Sequence, residues 1–275
     1  VAGSHSYFPV AARTYFQNAI IFRINFVISK PILLLTSKNT TMKKVLIVAG
    51  ILLVSITSAF SQTADEVIAK YIDAIGGKAK WSSLNSLRIE GQIEVQGVTI
   101  PFTMNAVQNK GARTDAEFQG MKIIEIVTPT AGWSMNGLQG QSSLQPMSEE
   151  DLKSKIDGVE IQDQLVDYAA KGHTVELLGK DEADGNEYFK LKIVTKQGNE
   201  KVHFIDTKTY LIYKTEATIK ANGQEVKQEV KFLDYQTLDN GIKVAFKQEM
   251  GGMMMMVSKK VTVNPTIDES LFKGN

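Results

Sequence analysis

The chain has 275 residues, no cysteine, and a formal net charge of +1 from 31 basic and 30 acidic residues. The lack of cysteine excludes thiolate nucleophiles, zinc–thiolate sites and a lipid anchor on cysteine, and it leaves any exported form without disulfides. The near-neutral total hides an asymmetry: the first 61 residues carry six basic and no acidic residues, so residues 62–275 hold 25 basic and 30 acidic ones, a charge of −5 that argues against nucleic acid and anionic lipid surfaces as partners.

Lys43 and Lys44 follow Met42, the apolar run Val45 to Val54 comes next, and Ala59-Phe60-Ser61 closes the segment before Gln62. This order of charge, short apolar core and small-residue cleavage site predicts a secretory signal peptide over residues 42–61. Residues 1–41 then read as an upstream extension from a start placed too early, with Met42 the true start. The rival reading takes residues 1–61 as one acid-free organelle leader, carrying Arg13, Arg23, Lys30, Lys38, Lys43 and Lys44. On the first reading residues 62–275 are a single exported domain, free in the periplasm and with no membrane-inserted segment.

Thr63-Ala64-Asp65-Glu66 is a capping-box pattern, and Val67, Ile68, Tyr71, Ile72 and Ile75 follow on one helical face up to the stop at Gly76-Gly77. This predicts an amphipathic helix over residues 64–75, with a short helical turn near Trp81 and Leu84. From Leu87 the period becomes two. Leu87, Ile89, Ile93 and Val95 alternate with polar residues, then Ile100, Phe102, Met104 and Ala106 do the same. Shorter strand-like runs cover residues 114–118, 122–127 and 133–135. Ser148 opens a second capping-box-like start, and Ile161, Leu165, Val166 and Tyr168 extend a helical spacing to Gly172. A helical insert between two groups of strands is expected.

In the second half Asp184-Gly185, Asn222-Gly223 and Asn240-Gly241 separate alternating runs as hairpin turns. A two-residue turn at Asn222-Gly223 sets Ile219 opposite Val226. A three-residue loop over 239–241 sets Phe232 opposite Gln248 and Lys231 opposite Glu249, which suits the pattern better than a two-residue loop. The expected fold is α+β and mainly antiparallel: an unclosed, strongly curved β-barrel of about ten strands, covered by the N-terminal helix and the insert.

Catalytic motifs are missing. His173 and His203 lie in different segments without metal spacing, and they read as surface or sheet histidines. Glu149-Glu150 reads as helix N-terminal charge. No catalytic residue, metal or cofactor is expected. The run Met253 to Met256 suggests a copper site only if four thioethers can converge, and strand alternation forbids that. One pair, Met253 with Met255 or Met254 with Met256, faces inward as an adaptable apolar lining. Arg113, one of two arginines after residue 61, opens a strand as either a solvated residue or a fork donor at a cavity rim.

The segment Lys70 to Lys78, the Lys110-x-x-Arg113 run, the turn before Trp133 in Gly132 to Gly137, and the ending from Gly241-Ile242-Lys243-Val244 through Asn264-Pro265 to Leu271-Phe272 resemble divergent members of the LolA-like, outer-membrane lipoprotein-sorting family. That resemblance implies an unclosed barrel with an apolar cavity for acyl chains, and a carrier of acylated lipoprotein or lipid cargo. The alternative is a non-enzymatic envelope sensor or protein-interaction module of the same fold. Phe102, Met104, Trp133, Phe232, Met253 and Met255 are the candidate lining residues. Arg113 corresponds to a family arginine that latches the lid, although the proline that accompanies it in the family is missing here.

Overall fold

The computed structural model describes residues 62–221 and 224–274; the signal-peptide and upstream-extension readings, and the turn at Asn222-Gly223, lie outside the described residues. Helix α1 spans Ala64–Ala74 and starts as the capping box requires. Glu66 N–H donates to Thr63 Oγ1 at 3.2 Å, and Thr63 N–H donates to Glu66 Oε2 at 2.9 Å. Thr63→Ala, read by thermal or denaturant unfolding, is expected to cost about 1 kcal/mol, because an N-terminal donor loses its acceptor. Gly76 and Gly77 end the helix with φ of 112° and 94°. Helix α2 is the short turn Lys78–Ser82, anchored by Trp81, whose indole N–H donates to the Ile75 carbonyl at 3.0 Å.

Thirteen strands form one antiparallel sheet, three more than the alternation suggested. They are β1 (Ser86–Val95), β2 (Val98–Val107), β3 (Gly111–Phe118), β4 (Met121–Val127), β5 (Gly132–Asn136), β6 (Gln145–Pro146), β7 (Thr174–Ala183), β8 (Asn186–Val194), β9 (Glu200–Asp206), β10 (Ile212–Ala221), β11 (Gln224–Thr237), β12 (Lys243–Met250) and β13 (Met254–Val263). The order β6-β5-β4-β3-β2-β1-β13-β12-β11-β10-β9-β8-β7 consists of two meanders joined where β1 pairs with β13. β6 and β7 are the free edges, so the barrel is unclosed. The insert between them runs through helix α3 (Glu149–Lys155) and a 3-10 turn at Ile156–Val159, and thereby links the two edges of the sheet.

The expected hairpin registers hold. Ile219 pairs with Val226, Phe232 with Gln248 and Lys231 with Glu249, and the loop at 239–241 carries Gly241 at φ 81°. At Asp184-Gly185 both residues are left-handed, which matches a two-residue turn to the strand twist. Gln96-Gly97 and Gln119-Gly120 do the same between β1 and β2 and between β3 and β4.

The later part of the insert differs from expectation. Residues 160–172 form successive turns instead of a helix. Leu165 N–H donates to Asp163 Oδ1 at 2.9 Å, Lys171 Nζ donates to the Asp163 carbonyl at 2.7 Å, and Asp167 has φ 55°. Side-chain bonding to local backbone competes with the helical ladder and prevails here.

Alternation gives the sheet two faces. The inner face carries Leu87 and Ile89 on β1, Ala106, Met104 and Phe102 on β2, and Leu191 and Ile193 on β8. One buried cluster joins Val67, Ile68 and Tyr71 of α1 with Leu191 and Ile193, and Leu87 packs against it. Five strands separate β1 from β8 in the sheet, roughly 29 Å if flat at the usual strand spacing, so the sheet must curl around α1 for one cluster to touch both. Burying each large apolar side chain of this cluster contributes about 1.5–3 kcal/mol. A second cluster on the same face, Ile100, Phe102 and Ala116 with Ile89, Ile93, Met104, Phe118 and Met256 packed against it, extends away from α1. A bulge at Glu90/Gly91 brings β13 and the Phe102 ring so close that a Cβ at Gly91 would overlap both the Val257 carbonyl and that ring.

Candidate functional site

Between the two clusters lies a cavity of about 290 Å³ beneath α1. Trp81, Leu87, Ile89, Phe232, Val244 and Val261 supply apolar walls, and Tyr71 and Leu165 form part of its roof. The cavity floor belongs to the same inner face as the second cluster, so apolar surface runs from beneath α1 to the far ends of β1 and β2. A cavity of this size and lining suits a chain-like apolar ligand.

The roof is fastened by one buried polar contact. Tyr71 Oη donates to Asp163 Oδ2 at 2.5 Å and ties α1 to the insert. Burial raises the pKa of Asp163, partly offset by the bonds from Tyr71 and Leu165, and burial next to that carboxyl holds the Tyr71 phenol well above its usual value. Tyr235 Oη donates to the Ile212 carbonyl at 2.8 Å, and burial pushes its phenol upward as well. Nearby, Glu160 sits between Lys171, at 2.5 Å, and His173 Nε2, at 3.3 Å.

Both histidines are buried, which corrects the surface alternative for them. His173 Nδ1 accepts from Lys196 N–H at 3.0 Å and helps close the insert onto β8's end. His203 lies on the inner face of β9 and lines the cavity. Its Nδ1 is 2.8 Å from Thr215 Oγ1, and desolvation, helped by Lys201, lowers its pKa to about 3, so the ring is neutral. Among the described residues no three His, Asp or Glu side chains have metal-binding geometry.

The structure divides the candidate site residues. Phe102 and Met104 lie in the second inner cluster, and Phe232 lines the cavity. Trp133 and Arg113 do not face it. Val127 pairs with Gly132 on the inner side, where Met147 and Leu152 of the insert cover Gly132, so Ile126, Trp133 and Arg113 share the outer face. The C-terminal segment crosses that face. Phe272 packs on Gly111, Gly274 lies against the Trp133 indole, and Glu269 pairs with Lys110. Arg113 forks onto Asp115, with Nη2 to Oδ1 at 2.7 Å and Nε to Oδ2 at 2.8 Å, and its Nη1 donates to the Leu271 carbonyl at 3.3 Å. Odd spacing from Ala112 and Thr114, which face inward, turns Arg113 outward; it is a clasp for the C-terminal segment, not a rim residue. Arg113→Leu is therefore expected to leave apolar-probe binding within twofold of wild type, to lower stability by about 1 kcal/mol, and to expose the last ten residues to limited proteolysis.

The methionine assignment is corrected in the same way. Met256 packs in the inner cluster opposite Ile93, and Met254 shares its face opposite Val95. Met255 lies between Glu94 and Glu249 on the outer face, and Met253 is a turn residue, 73% exposed. The residues that sequence reading missed are Asp163, Gln248 and Ser258. Gln248 was placed in register opposite Phe232, and that pairing alone puts it on the cavity side. Asp163 had no comparable signal.

A larger open cleft of about 790 Å³ lies between α3 and strands β9–β11. Lys153, Lys201 and Lys227 alternate there with Glu150, Glu200, Glu216 and Glu229, a mixed-charge lining unsuited to an apolar chain.

No protein-family model and no curated protein matches the sequence. Solved structures do match. A domain named as an outer membrane lipoprotein-sorting protein, from Vibrio parahaemolyticus, superposes with a TM-score of 0.50 at 11% identity over 74% of this chain and 95% of its own. A LolA superfamily protein from Nitrosomonas europaea also gives 0.50 at 11% identity, over 78% of this chain and 98% of its own. The chain shares the fold of these two proteins. The expected resemblance thus holds at the level of architecture. None of the helices among the described residues is long and apolar enough to cross a membrane.

Proposed function

We propose that the protein is a non-enzymatic carrier that holds acyl chains of a lipid or lipoprotein in the cavity beneath α1 and ferries them through the periplasm. The observation that carries this reading is the largely apolar inner face, partly roofed by α1 and the insert and partly open over Phe102, Met104 and Met256. Each methylene withdrawn from water onto such a surface contributes about 0.8 kcal/mol, enough for a single chain to bind. Two polar bonds between the roof elements, Tyr71 to Asp163 and Tyr168 to Asp65, give the lid a small set of fastenings to break when cargo enters. Export supplies the setting, with residues 42–61 as the removed signal peptide and residues 62–275 as the working domain.

Native mass spectrometry of protein purified from the exporting host tests this. Co-purified fatty acyl species on a polypeptide beginning within two residues of Gln62 are the expected result. A ligand-free protein that takes up no apolar probe would instead favour the protein-interaction alternative, and retained residues 1–41 would overturn the export assignment.

A further inference from the structure

The antiparallel order places the turns 96–97, 119–120, 137–140 and 251–253 at one end of the neighbouring strands β5-β4-β3-β2-β1-β13-β12. None of these turns carries a charge. They read Gln96-Gly97, Gln119-Gly120, Gly137-Leu138-Gln139-Gly140 and Gly251-Gly252-Met253. Turns at the opposite end of the sheet hold Lys110, Asp184, Lys208 and Asp239. Four large apolar side chains stand exposed among the described residues, and three of them lie at the uncharged end. Leu138 and Met253 are on the turns themselves, and Val226 is near the start of β11. Single exposed apolar residues are ordinary; their collection at an end from which charge is absent is not.

This end is also the mouth of the apolar inner face. Val95, Val98 and Phe118 flank the turns and pack against the second inner cluster. Turns 96–97 and 252–253 border one depression with Val98 and Met254. Apolar surface therefore continues from the second cluster to the turn tips.

The arrangement points to the kind of surface that meets it. The tips are separate prongs, neighbours standing roughly 10 Å apart at the usual strand spacing. On the outside, Glu94, Thr99, Glu117 and Lys122 interrupt any apolar patch that a protein partner could cover. A fluid bilayer closes round each prong on its own. Behind the tips, Glu94, Glu117 and Glu249 stand against Lys122 and Lys227. That mixed, slightly acidic flank is not the basic cluster that holds an anionic membrane.

We infer that this end of the barrel rests reversibly on an uncharged, zwitterionic lipid surface. Leu138 and Met253 sit at the acyl boundary, and the mouth of the inner face turns toward the lipid. The inference rests on the carrier reading for its purpose, passage of a chain between membrane and cavity, and not for its chemistry.

Flotation of the purified protein with phosphatidylcholine vesicles, and with vesicles that also contain phosphatidylglycerol, tests this. The wild type is expected to float with phosphatidylcholine, and no better when phosphatidylglycerol is present. Leu138→Ser combined with Met253→Ser should weaken that binding about tenfold, since two apolar side chains no longer leave water. Leu178→Ser removes the fourth exposed apolar side chain, on edge strand β7, and should change nothing. Met253→Trp gives an independent readout: its emission, relative to wild type, should shift to the blue on phosphatidylcholine vesicles. An unshifted spectrum, a requirement for phosphatidylglycerol, or an equal loss in Leu178→Ser would overturn the inference. So would a wild type that ignores all vesicles; a dimer dissolved by the double substitution would then assign the tips to a second copy. Apolar-probe binding by the same proteins separates the two readings. Probe held without vesicle binding refutes the membrane contact alone, and vesicle binding without the probe refutes the carrier alone.

Discussion

Lowering the pH from 6.5 to 4.5 is expected to cost the wild-type protein about 2 kcal/mol of stability that a His203→Gln variant keeps. His203 is buried and neutral, with its folded pKa lowered to about 3 against 6.5 in the unfolded chain, chiefly by desolvation and secondly by Lys201. Between those two values the unfolded state binds the extra proton, so stability is full above about 6.5 and is lost progressively as pH falls. Asp163 works the other way. Its raised carboxyl binds a proton in the folded state first, and its contribution falls as pH rises above its unfolded value of 3.8. Both proteins in the comparison retain Asp163, so the difference between their urea-denaturation free energies isolates the histidine. A difference that stays flat from pH 6.5 to 4.5 would mean that the imidazole titrates in contact with water and is not sealed against the cavity wall.

Met256→Glu is expected to abolish binding of an apolar probe, with affinity reduced at least a hundredfold, whereas Met256→Leu should stay within twofold. The Met256 side chain sits among Ile93, Ile100 and Phe102 on the inner face, where a carboxylate finds no cation and loses its water. Leucine conserves volume and polarity at the same place. Met255→Gln is the matched control. That residue pairs with Glu94 and Glu249 on the outer face, and its replacement should leave binding unchanged. Probe binding that survives Met256→Glu but is lost in Met255→Gln would invert the faces of β13 and with them the location of the site.

The architecture was legible wherever local chemistry and packing agreed. The capping box at Thr63 and Glu66, the alternation of β1 and β2, and the registers around Phe232 follow from residues that have one low-energy arrangement. The left-handed turns at Gln96-Gly97 and Gln119-Gly120 escaped notice because glutamine is a weaker turn signal than asparagine or aspartate, although the strands on either side of them were read. Residues 160–172 were misread as helix because apolar spacing at Ile161, Leu165 and Val166 was visible and the Asp163 side-chain bond to the backbone was not. The site was less legible than the fold. Phe102, Met104 and Phe232 could be placed by period and pairing. Arg113 and Trp133 could not, because the segment that covers them, Glu269 to Gly274, arrives from more than 130 residues away in sequence. Which methionine pair faces inward depends on where Gly251 and Gly252 turn, and alternation alone leaves both answers open.

The seam between β1 and β13 has a kinetic meaning. Strands β1 to β6 and β7 to β13 can each zip up through neighbours in sequence, but the seam closes a loop of roughly 170 residues. Until Met254 to Val263 have been made, β1 is an open edge whose backbone N–H and C=O groups on that side have no ladder partner. A ribosome delivering this chain from its N-terminus therefore releases a half-sheet that cannot be completed until nearly the last residue, which leaves the polypeptide threadable for most of its synthesis. Deleting the final thirty residues would not trim the domain; it would leave two half-sheets with no strand to join them.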